Sequence, residues 1–234
     1  MDIILNIVRD SDKKYTHKIN ECKYIQSQVE IDDSYTTINE LFLSLYDPNF
    51  SLLPSKEKSL YVKQKYLQIA TDIDEKSREV YEIFNYNNKF KKSIIQRGLQ
   101  LSNHLSTVLY LNDLYCINSI LVFKSEDKYY QTSKKDKEFV YLIYDETKQK
   151  WSLGSDNDIL NCNKEELSSL NTVIINDINN DNIYQNHLKS LSNYKVGELK
   201  ELASKLNIND TINGKKKTKK DFYDDINLYH LNLI

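Results

Sequence analysis

The sequence predicts an α+β protein: a helical N-terminal part with a small antiparallel β meander, followed by a small two-helix unit. Three observations predict it. Apolar residues recur at helical spacing before residue 116, and short β-branched and aromatic runs separated by polar turns fill 117–153. A second pair of amphipathic segments follows residue 193. The expected organisation is an α+β domain over 1–175, a linker over 176–190 and the two-helix unit over 191–234.

Taken in order, Met1–Val8 is an apolar run too short for periodicity to assign to strand or helix. Val62, Tyr66, Ile69 and Ile73 lie four or three apart and predict a helix over 57–73, with Pro54 and Ser55 as its start signal. Leu101, Leu105, Val108, Leu109 and Tyr115 predict a second helix over about 99–115. Asn85–Asn88 (NYNN) breaks the pattern between the two. Ile117–Phe123, Lys128–Thr132, Glu138–Tyr144 and Lys150–Leu153 then read as strands of an antiparallel meander. Their aromatics, Trp151 included, read as packing residues. Val173–Ile175 reads as one further strand, and the low-complexity run Asn176–Asn186 as linker with a short helix before Ser190.

Composition excludes several classes. The chain has 234 residues, 40% of them hydrophobic, with a net charge of −2, an ordinary balance for a globular chain. Lys (29), Asn (25), Ile (24) and Tyr (18) are abundant, whereas Gly (4), Arg (3), Ala (2) and Pro (2) are scarce. This is the signature of an AT-rich gene. No apolar run approaches the roughly 18 residues of a membrane helix. The start MDIILNIVRD has an acidic second residue and no basic n-region, so no signal peptide and no secretion are expected. Cys22, Cys116 and Cys162 form no C-x-x-C pair, which argues against a disulfide framework and against structural zinc.

No catalytic, metal or cofactor site emerges. His17, His104, His187 and His230 are scattered, and Gly98, Gly154, Gly197 and Gly214 fall in no phosphate-cradling motif. Asp177, Asn179 and Asp181 open like a calcium loop, but Asn182 and Leu188 stand where Gly and a bidentate Glu are required. Glu146-Thr147-Lys148 after Asp127 or Asp136 has the spacing of a metal-dependent nuclease core. That chemistry needs Glu and Lys on one strand face, whereas the triplet falls in a hydrophilic stretch suited to a turn.

The C-terminal segment is the informative one. Val196, Leu199, Leu202, Ala203 and Leu206 define an amphipathic helix ending near Asn207, with Ile208 plugging the connection. Gly214 can take a positive φ. Thr218 with Asp221 three residues on makes a capping-box-like start for a second helix, whose apolar face is Phe222, Ile226 and Tyr229 or His230. Residues 187–234 hold nine lysines against six acidic residues, net +3, leaving 23 basic and 28 acidic residues, net −5, in 1–186. The cluster Lys215, Lys216, Lys217, Lys219 and Lys220 is the electrostatic footprint, with Lys200 on the first helix as a further candidate contact.

These residues resemble the SAP family of helix–extended-loop–helix modules. Val196-Gly197-Glu198-Leu199-Lys200-Glu201-Leu202 matches the family's first-helix pattern, Gly214 its loop glycine, and Lys219-Lys220-Asp221-Phe222 the second-helix start with Phe for Leu. The likeness covers about 40 residues. The stretch Asn207–Lys217 is longer than the family loop, and Lys195 stands where a capping Ser or Thr is common. The resemblance implies binding of double-stranded DNA, non-specific and salt-sensitive. Lysine without arginine argues against bidentate guanine readout.

The whole chain also resembles, in style, uncharacterised proteins of nucleocytoplasmic large DNA viruses. The expectation is a non-enzymatic, DNA-associated viral protein without cofactor, located in the host cytoplasm (a viral factory) or the virion. The alternatives are a virion or scaffold protein whose tail binds viral protein partners, and the nuclease.

Overall fold

The computed structural model describes residues 35–170, 174–175 and 183–233. Met1–Val8, Asp177, Asn179 and Asp181 lie outside them. The chain is α+β. Among the described residues six helices precede the sheet: α1 (Ile38–Tyr46), α2 (Pro48–Leu52), α3 (Ser55–Glu75), α4 (Ser77–Phe84), α5 (Lys92–Leu99) and α6 (Leu105–Tyr115). A sheet of β1 (Ile117–Phe123), β2 (Lys128–Gln131), β3 (Glu138–Asp145), β4 (Lys150–Gly154) and β5 (Asn163–Glu165) follows. The C-terminal unit consists of α7 (Val196–Lys205), β6 (Thr211–Ile212), β7 (Lys215–Lys216) and α8 (Lys219–Asn232).

The helix expected over 57–73 is α3, which buries Tyr66, Ile69, Ala70 and Ile73. The helix expected over 99–115 begins only at Leu105. Asn103 accepts the Ile38 N–H at the start of α1 at 2.9 Å, and the His104 ring nitrogen accepts the Ser106 N–H at 3.2 Å, so residues 103–104 lie ahead of α6, with His104 as its cap. Helix α5 precedes it and approaches very closely: a Cβ on Gly98 would sit 2.1 Å from the Ser106 Oγ. The break at Asn85 is real, with this residue in the left-handed region that ends α4.

The four strands fall where the β-rich runs lie, but they are not a meander. The order is β4-β3-β1-β2-β5, and β1 pairs antiparallel with β2 but parallel with β3. Every residue of β1 is buried, so both faces and both edges of this strand are covered. Residues 132–137 make the crossing. Asn118 of β1 holds them, donating to the carbonyls of Ser133 (2.9 Å) and Lys135 (3.1 Å) and accepting the Ser133 N–H (3.2 Å). The strand expected at Val173–Ile175 does not form over Ile174 and Ile175, which are turn and bend. The short helix expected just before Ser190 does not form over residues 183–190; a short 3₁₀ turn, Leu191–Asn193, follows.

The main core gathers aromatics from both layers. Trp151 is fully buried with its ring 5.9 Å from Phe123 and 4.9 Å from Tyr144, the spacing of favourable aromatic pairs. Ile183 and Tyr184 belong to this core as well. Tyr184 bridges to Tyr86, and the Asn87 N–H donates to the Ile183 carbonyl at 2.8 Å. Residues 183–184 are therefore clamped to the body and are not free connector.

Candidate nucleic-acid interface

The C-terminal unit has its own small core. Leu199 and Ala203 of α7 bury against Phe222, Tyr223 and Ile226 of α8, with Leu188, Leu191, Tyr194, Leu202, Leu206 and Ile208 closing the edges. Helix α7 ends as its sequence requires: Asn207 takes a positive φ of 57° and the Ile208 N–H returns to the Ala203 carbonyl at 2.9 Å. Ile208 is the expected plug. The apolar face of α8 differs from expectation. Tyr223 and Leu231 are buried, whereas Tyr229 is exposed and His230 half-buried.

The connection between the helices is a built hairpin and not a bare loop. Thr211 pairs with Lys216 and Ile212 with Lys215, around a turn formed by Asn213 (φ 50°) and Gly214 (φ +74°). Asn-Gly with both φ values positive is the chemistry of the two-residue type I′ turn. Lys215 and Lys216 lie exposed on this hairpin. Lys220 is exposed on the first turn of α8, and Lys219 is half-buried beside it. Lys200, also exposed, sits on α7 with its ammonium 6.0 Å from the Phe222 ring centre.

Lys217 behaves differently. Its Nζ lies 2.8 Å from the Asp225 carboxylate and donates to the Asn209 carbonyl at 2.7 Å, and its side chain is only 9% exposed. This charge is spent inside the unit. The N-terminus of α8 is likewise occupied. Asp221 accepts from the Thr218 N–H and hydroxyl, each at 2.7 Å, and the Thr218 Oγ1 accepts the Asp221 N–H at 3.3 Å. The hydrogen bonds from Thr218, with Lys217 and Lys220 nearby, hold the Asp221 carboxyl below its ordinary value. A carboxylate therefore fills the helix start, a place that otherwise favours a phosphate. The basic surface is carried by side chains, not by free helix N–H groups.

The unit is fastened to the body along α8. Leu231 reaches into the main core, and the Asn232 side chain accepts the Asp136 N–H at 2.9 Å. The Asn227 side chain accepts the Leu188 N–H at 2.9 Å, and His187 stacks on His230 with ring centres 3.5 Å apart.

Sequence reading missed a second constellation, in the body. Asp113 and Lys135, 3% and 5% exposed, pair at 2.9 Å. The hydroxyls of Tyr86 (2.7 Å) and Tyr184 (3.0 Å) donate to the same carboxylate, and the Lys135 ammonium lies 4.6 Å from the Tyr184 ring centre. Burial pushes the Asp113 carboxyl up against the pull of Lys135 and the two hydroxyls, and it pushes both tyrosines well above their ordinary value. Its members come from α6, the crossing loop, the residues after α4 and the segment at 183–190. No local pattern could have shown them together. Glu146 and Lys148 lie in the exposed β3–β4 turn, off the strand face a nuclease core needs, and Lys148 pairs with Asp145 at 3.6 Å. No group of three or more His, Cys, Asp or Glu that could hold a metal occurs among the described residues. None of their helices is long and apolar enough to cross a membrane.

No family model, curated protein or solved structure matches this chain. Its function is argued from its own surface.

Proposed function

We propose that this chain is a non-enzymatic DNA-associated protein that holds duplex DNA through its C-terminal two-helix unit, a module of SAP type. One observation carries the reading. Lys215, Lys216, Lys219 and Lys220 surround one end of a small folded unit without a carboxylate partner among the described residues, in a chain whose other 186 residues are net acidic. Phosphate backbones are the partner such a surface fits. The A/T-biased composition supports an origin in a large DNA virus, and so a role in the viral factory or virion.

Four phosphate contacts give a slope of log K against log salt of about −3.6, since each displaced counterion contributes about −0.9. Titration of a labelled duplex by fluorescence anisotropy, at about 50 to about 200 mM salt, measures it. A slope between about −3 and −4, indifferent to base sequence, is the expected result. Absence of binding at the lowest salt overturns the reading and leaves the unit to a protein partner.

A further inference from the structure

We propose that the Thr211–Lys216 hairpin is the leading edge with which this unit meets the duplex. Lys215 and Lys216 supply two of the four phosphate contacts, Ile212 packs on the apolar edge of the sugars, and Lys217 aims the hairpin without touching DNA. The inference rests on the DNA-association reading and divides its lysines by role.

The hairpin projects. Every residue of 209–216 is exposed, and a Cβ at Gly214 would meet nothing within 4 Å. Residues directly opposite in an antiparallel pair share a face. Ile212 therefore lies beside Lys215 on one side, and Thr211 beside Lys216 on the other. Ile212 is 51% exposed in a unit whose other apolar side chains mostly close its core. A β-branched side chain next to an unpaired ammonium fits a surface that alternates phosphate with deoxyribose, which is what a duplex presents along either groove.

Lys217 is built for another task. Its ammonium ties Asp225 of α8 to the Asn209 carbonyl, and its own N–H donates to the Asp210 carbonyl at 2.9 Å. Both ends of the hairpin are thereby pinned to α8. A phosphate contact by Lys217 would require breaking the pair with the half-buried Asp225 carboxylate and giving up the bond to the Asn209 carbonyl. Lys215 and Lys216 have no such ties to break.

The test uses the full chain and the labelled duplex described above. Lys215→Gln and Lys216→Gln each flatten the salt slope by about 0.9, and together by about 1.8. Ile212→Ser lowers affinity several-fold at every salt concentration with the slope unchanged. Lys217→Gln also leaves the slope unchanged while lowering affinity, and Lys217→Arg restores it because the ion pair re-forms. A slope that flattens for Lys217→Gln and not for Lys215→Gln or Lys216→Gln overturns the proposal while the DNA reading stands. Wild-type protein that fails to bind at low salt overturns the DNA reading instead. Lys215 and Lys216 are exposed, so their variants should fold, and circular dichroism checks it.

Discussion

The body and the C-terminal unit use the same residue type in opposite ways. In the body, Lys135 is enclosed with Asp113 and two tyrosines, so its charge is cancelled inside the fold. In the C-terminal unit, Lys215 and Lys216 stand on an exposed hairpin with no carboxylate partner among the described residues. Lys217 lies between the two extremes, at the surface of the unit yet paired with Asp225. With 29 lysines in a compositionally biased chain, abundance carries no message. What distinguishes a lysine that holds the fold from one that can hold a ligand is whether a carboxylate is already within reach.

The comparison breaks most sharply at the buried pair. Lys135→Met leaves the Asp113 carboxyl enclosed without its cation, and removing one partner of such a pair costs about 3–5 kcal/mol. Chemical denaturation should show that loss, while duplex binding by the folded fraction stays unchanged. The double variant Asp113→Leu with Lys135→Met should recover much of it, since an apolar pair of similar volume is often neutral. A smaller effect should arise in the unit's own core. Leu199→Ala removes a fully buried side chain between α7 and α8 and should cost about 3 kcal/mol. Hydrogen exchange should then rise across 196–232 and leave β1 protected, showing that the two cores melt separately; equal exchange in both would show one cooperative core.

What was legible in the sequence follows the range of the interactions. The β-rich runs and the amphipathic faces of α3 and α7 are local signals, and the elements lie on them. A capping box at Thr37-Ile38-Asn39-Glu40, which the expected elements did not include, starts α1, with the Glu40 N–H donating to the Thr37 Oγ1 at 3.1 Å. Strand order was not legible. Whether β2 leads into a third meander strand or crosses to the far edge of β1 is decided by Asn118 gripping residues 133 and 135, a contact between segments distant in sequence. For the same reason the lysine cluster could be seen as a run, but not the capture of Lys217 by Asp225 on the facing helix.

A lesser effect tests the helix start that competes with phosphate. Thr218→Ala removes an N-cap hydroxyl and should destabilise α8 by about 1 kcal/mol, seen as a lower thermal midpoint. Asp221→Asn should do two things at once: weaken the cap and remove the negative charge beside Lys220. Duplex affinity should therefore rise slightly even as stability falls. A fall in both would show that the carboxylate orients the lysines instead of competing with the phosphate.

The smallest expected effect concerns how the two regions are joined. His187 and His230 stack face to face where the segment leaving the body meets α8. Burial, and the charge of His187, hold the His230 imidazole below the ordinary value of 6.5. Around it, α8 offers Ile226 and Asn227 one turn back and Tyr229 edge-on, the opposing segment offers Asn186 and Lys189, and the crossing loop brings Asp136 to Asn232. A histidine with a lowered folded value is protonated more readily in the unfolded chain. The stability it contributes is thus complete above 6.5 and is lost as pH falls through the folded value. Protection of the last turns of α8 should decline over that interval while β1 is unaffected. His187→Phe keeps a ring in the stack and removes its charge, so the decline should shrink without a change at neutral pH. An unchanged decline in that variant would place the pH sensitivity elsewhere than in the stacked pair.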